Sequence, residues 1–129
     1  MRLSNVIIGS TLLFLSACNP FELTPLDVKT VKNDHIKVRW FKTSDISTMH
    51  ECVEMKINFA WVKLLKTCGD GSIYNVLINK DTVIVEILKD SEIHEITPKY
   101  KGIFLRVDSS ITLYQYMQKF SPENAENYK

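Results

Sequence analysis

The chain has no long hydrophobic run, no excess of either charge and no motif that names a reaction. Its most apolar stretch, residues 6–15, is interrupted by Gly9, Ser10 and Thr11. It falls short of the ~20 apolar residues that a permanent membrane-spanning helix needs. The sequence holds 16 Lys plus Arg against 15 Asp plus Glu, with no basic cluster. That balance favours neither nucleic acid nor broad contact with anionic lipid headgroups. H-E-x-x-H, G-x-S-x-G and C-x-x-C are all missing, so the patterns for zinc hydrolysis, a serine nucleophile and a redox dithiol are not met. Gly69-Asp70-Gly71-Ser72 lacks the later ligands and the closing Glu of a calcium loop. No internal repeat or low-complexity segment occurs. The expectation is a non-enzyme with no cofactor and no metal.

What is present is concentrated at the N-terminus. Arg2 supplies a positive charge, Val6–Leu15 an apolar core, and Ser16-Ala17 small residues ahead of Cys18. This order marks an export signal rather than a folded segment. Leu15-Ser16-Ala17-Cys18 resembles the lipobox of bacterial lipoproteins. The resemblance covers these eighteen residues and implies that residues 1–17 are cleaved and that Cys18 carries lipid. Two or three acyl chains make a durable anchor, since each buried methylene contributes about 0.8 kcal/mol. In the enterobacterial members an Asp after the cysteine retains the protein in the inner membrane. Asn19 therefore implies the outer membrane, with the domain facing the periplasm.

Removing 17 of the 129 residues leaves 112, enough for one domain. Without Arg2 the basic and acidic residues balance at 15 each. Pro20, Pro25 and weak periodicity assign residues 18–34 to the lipidated cysteine and a tether, and 35–129 to a single globular domain. Cys52 and Cys68 remain as a pair. In an oxidising compartment they are expected to form a disulfide closing a short loop, a contribution of about 3 kcal/mol.

Ile36, Val38 and Trp40 alternate with polar residues and predict a strand. Thr48 and Glu51 fit a capping box, and Met49, Cys52, Val53 and Met55 share one side of a helical wheel, predicting a short helix over 49–56. Three adjacent antiparallel strands are expected over 57–68, 73–79 and 82–89, with turns at Gly69–Ser72 and Asn79-Lys80-Asp81. Residues 103–107 read as a further strand, and Thr112–Phe120 as a helix. A polar tail follows Pro122. The sum is an α+β domain: one small, mostly antiparallel sheet of about five strands with two short helices, one C-terminal. The alternative is a small all-β barrel, a plan that periplasmic lysozyme inhibitors resemble at the level of fold alone.

Candidate functional side chains are sparse. His50 and Glu54 would share a face if 49–56 were helical and could then hold a metal, although a solvated pair is the simpler reading. Glu92 and Glu95 flank His94 in a charged segment. Trp40, Phe41, Phe59, Trp61, Phe104 and Phe120 read as core. Tyr100, between Lys99 and Lys101, marks a contact loop. These features favour a lipid-anchored, non-catalytic binding protein of the envelope, such as an immunity or inhibitor protein against a periplasm-acting toxin or wall-degrading enzyme. The alternatives are an accessory lipoprotein of a secretion or pilus assembly, and a small-ligand carrier or periplasmic enzyme.

Overall fold

A computed structural model describes residues 25–44, 48–69 and 71–129. Cys18 and Asn19 lie outside the described residues. Nine strands occur among them: β1 Leu26–Lys32, β2 Lys37–Ser44, β3 Met49–Ile57, β4 Ala60–Cys68, β5 Ile73–Asn79, β6 Thr82–Leu88, β7 Ile93–Ile96, β8 Lys99–Tyr100 and β9 Ile103–Ile111. A helix, α1 (Leu113–Phe120), and a 3-10 turn over Pro122–Tyr128 end the chain.

The strands form two open sheets, ordered β1-β2-β3-β4-β7 and β5-β6-β9-β8. All pairings are antiparallel except β6 with β9. The domain is therefore mostly antiparallel sheet with short C-terminal helices, and neither sheet closes into a barrel. Its single expected sheet is in fact two, packed face to face. Val38, Trp40, Val53, Met55 and Leu65 of the first sheet meet Val76, Val83, Val85 and Ile87 of the second. Ile103, Leu105 and Val107 extend the second sheet's inner face. Alternation along each strand follows from the period of two: every second side chain points between the sheets.

The expected helix over 49–56 is strand β3. Its inward residues are Glu51, Val53 and Met55; His50, Cys52 and Glu54 point outward. Strand alternation looked poor in sequence because it set Glu51 on the apolar face. That is where Glu51 lies, 1% exposed. Its carboxylate accepts hydrogen bonds from Ser72 N (2.6 Å), Trp40 Nε1 (3.2 Å) and Ile73 N (3.4 Å). A buried acceptor with three donors satisfies the rule that interior polar groups must be paired. It also ties the start of β5 to the first sheet, so Glu51 is a staple between the two layers.

The tether expected to reach residue 34 is partly structure, since Leu26–Lys32 form edge strand β1. Its mostly exposed side chains gave no alternation to read. A register shift near Asp27, at φ 52°, distorts this edge. The chain crosses between sheets after Cys68, where Gly69 and Gly71 have φ of 85° and 83°; Asp70 of the expected turn lies outside the described residues. Strands β4 and β5 are therefore in different sheets, not neighbours as expected. The β5–β6 hairpin turns where predicted, with Lys80 at φ 53°. At the same end, Asn33 accepts from His35 N and Ile36 N and donates to Lys80 O, linking the turns of both sheets.

Helix α1 opens with a capping box between Thr112 and Gln115. It lies beside the crossing point: Tyr116 approaches Gly71, Phe120 meets Tyr74 edge-on, and the Lys119 ammonium donates to Tyr74 O.

Candidate functional site

Cys52 and Cys68, expected as a disulfide, are both free thiols. The β3–β4 register explains the correction. Cys52 stands opposite Lys66 and Cys68 opposite His50, so the thiols are diagonal neighbours on the outer face. Diagonal positions lie about 7–8 Å apart, and a disulfide needs Cβ atoms about 3.5–4.5 Å apart. Cys52, 3% exposed, sits beside Phe41 on the neighbouring strand. Burial pushes its thiol pKa up, against the opposing pull of Lys63, a Thr43 hydrogen bond and Lys66.

His50 and Glu54, a candidate metal pair on a helix, are four residues apart on a strand, about 13 Å. Glu54 instead binds Arg39, whose Nε donates to it at 2.8 Å. Arg39 also stacks over Trp61 and Phe41, at 4.1 and 4.9 Å from the ring centroids. A different set converges. His50 and His94 are in edge contact, with centroids 5.4 Å apart. One ligand atom each from Cys68, Glu92 and His94 lies within 4.8 Å of the other two. No sequence spacing records this, because His50 arrives from β3, Cys68 from β4, Glu92 from the approach to β7 and His94 from β7 itself. The only linear trace is Glu92-x-His94, which puts two side chains on one face of an extended segment.

Tyr100, the residue expected at the centre of a contact loop, forms two-residue strand β8 with Lys99 and packs half-buried against the core. Lys101 occupies the adjoining turn at φ 47°. Lys99 lies over Phe104 and Lys101 over Tyr100. This trio is distant in register from the His–Cys–Glu set, which belongs to the other sheet.

A cavity of about 280 Å³ opens between β1, β2 and α1, lined by Lys29, Trp40, Glu51, Tyr116 and Phe120 among others. It is just under the usual range for small-molecule pockets, about 300–1,000 Å³. Its one buried carboxylate, Glu51, is already occupied by three N–H donors. Lys29 lies over Trp40 at 4.4 Å and over Phe120 at 5.2 Å. The arrangement suits a structural joint between layers better than acid–base chemistry.

The most conspicuous surface feature is at the tip of the β3–β4 hairpin. Ile57 pairs with Ala60, leaving Asn58-Phe59 as a two-residue turn. Asn58 takes φ 56°, a conformation Asn tolerates well. Phe59 is 98% exposed. Its sequence context, a continuous apolar run, assigned it to the core; the turn aims it into solvent. Lys37, Lys56 and half-buried Trp61 are paired across the strands next to this tip.

No protein-family model matches the chain, and no curated protein or solved structure matches it.

Proposed function

We propose that the chain is a lipid-anchored, non-catalytic binding protein of the bacterial envelope. In this reading Cys18 fixes it to the outer membrane, the domain faces the periplasm, and the β3–β4 hairpin engages a protein partner. The observation that carries the binding role is the fully exposed Phe59 on a short, paired hairpin. Burying a Phe side chain is worth about 1.5–3 kcal/mol, and the chain leaves that free energy unused. An aromatic on a tight turn loses little conformational freedom on docking. Aromatic residues dominate interface hot spots, with Trp61 and the nearby Lys37 and Lys56 supplying a mixed rim.

A protruding knob suits a concave partner, which favours an inhibitor or immunity protein over a subunit joined through a flat face. The carrier or enzyme reading has less support, because the cavity is small and its carboxylate is consumed structurally. Affinity capture from detergent-solubilised envelopes tests the proposal. The full chain is expected to retain a stoichiometric protein that Phe59→Ala loses at least about tenfold, the equivalent of 1.4 kcal/mol. Equal recovery by both chains would refute the role of the hairpin.

A further inference from the structure

We propose that Cys68, Glu92 and His94 form a binding site for a divalent transition-metal ion, zinc in the first instance, on the outer face of the five-stranded sheet. Their ligand atoms already lie within 4.8 Å of one another. His94 Nε2 and a Glu92 oxygen are 3.9 Å apart. Ligand atoms around tetrahedral zinc stand about 3.3–3.8 Å apart, given bonds of 2.0–2.3 Å. Closing the set takes shifts of up to about 1.0–1.5 Å, within reach of side-chain rotation at the exposed Glu92 and His94.

The backbone holds the ligands in place. Cys68 N donates to Glu92 O at 2.9 Å, fixing the thiol strand beside the carboxylate segment. Thr67 is registered with Ile93, which brings His94 alongside. Thiolate, imidazole and carboxylate together suit a borderline-soft ion and disfavour calcium or magnesium, which take oxygen ligands alone. Three protein ligands leave a fourth position for water.

His50 shapes the surroundings. Its Nδ1 is 3.3 Å from Thr67 O, a carbonyl of β4 next to Cys68. Nε2 contacts Thr48 Oγ1 at 3.4 Å, and the ring stands edge-on to His94. Held at both ring nitrogens, His50 packs against His94 and limits the positions that ring can take at the site. On binding, a Cys68 sulfur–metal bond forms and the thiol proton leaves to solvent.

Titration of the metal-free full chain in detergent with zinc chloride tests this. One equivalent is expected to bind with proton release. His94→Ala, Glu92→Gln and Cys68→Ser should each weaken it at least about tenfold; the first two change exposed side chains, so folding is retained. Cobalt(II) in place of zinc should show a thiolate charge-transfer band that Cys68→Ser removes and that Cys52→Ala and Cys18→Ser preserve. His35→Ala should change nothing. Absence of one-to-one binding at micromolar zinc would overturn the proposal. So would binding indifferent to His94→Ala and Cys68→Ser, or a cobalt complex without the thiolate band.

Discussion

Replacing Glu51 by Ala should be among the most damaging single changes in this domain. The carboxylate satisfies Ser72 N, Ile73 N and Trp40 Nε1. Each buried donor left unpaired costs about 1–3 kcal/mol. The adjoining cavity admits water to part of the vacated space, so the low end applies to each donor and the sum is about 3–5 kcal/mol. For a domain whose whole stability is about 5–15 kcal/mol, that is a large fraction. Glu51→Gln keeps the volume and one carbonyl acceptor for the backbone pair. It turns an amide donor toward Trp40 Nε1, losing one bond, and should cost about 1–2 kcal/mol. Urea unfolding followed by the fluorescence of Trp40 and Trp61 measures both, with an unchanged denaturant slope as the check on a common unfolded state. An Ala variant within about 0.5 kcal/mol of the parent would behave as an exposed site does. It would refute the staple and revive a helix over 49–56 with Glu51 on its solvent side.

Two further outcomes follow from the same geometry. Gly69 and Gly71 both require positive φ, but a Cβ on Gly71 would stand 2.9 Å from Tyr116 Oη while one on Gly69 meets nothing within 4 Å. Gly69→Ala should cost the left-handed strain alone, about 1–2 kcal/mol; Gly71→Ala should cost more, and Tyr116→Phe should shrink that excess. Equal unfolding midpoints for the two Ala variants would contradict the close approach. The Cys52 thiol has its pKa raised by burial, so its contribution to stability is fully present below the ordinary thiol value of about 8.5. That contribution is lost as pH rises above it, because the unfolded chain releases the proton first. The parent should therefore lose stability relative to Cys52→Ala between about pH 8 and the raised value, and a constant difference in urea midpoint across that window would refute it.

The parts of the fold legible in sequence were those whose information is local. Alternation marked β2, β-branched runs around Asn79-Lys80-Asp81 marked the β5–β6 hairpin, and helical spacing marked α1. Even there β9 runs on to Ile111, past the expected 103–107, and the helix begins at Leu113 with Thr112 as its cap. The errors came from tertiary context. Glu51 broke the apolar pattern of β3 because its partners lie on β2 and at the start of β5, 11 to 22 residues away. The Gly69–Ser72 turn reads the same whether it joins neighbours in one sheet or carries the chain to another. A cysteine pair of suitable spacing cannot report a register that sets it diagonally. Phe59 looked interior because composition does not distinguish an apolar strand from an apolar hairpin tip. The meeting of Cys68, Glu92 and His94 depends on the pairing of β4 with β7 and leaves only the Glu92-x-His94 spacing in the sequence.

The proposal that the hairpin grips a partner from an anchored envelope protein is tested most directly by photocrosslinking in intact cells. A photoreactive aromatic amino acid replaces Phe59 in one chain and Lys80, at the tip of the β5–β6 hairpin, in another. One discrete, lipid-modified adduct with a single envelope protein is expected from position 59 and none from position 80. Adducts of equal yield from both positions, or none from position 59, would contradict it.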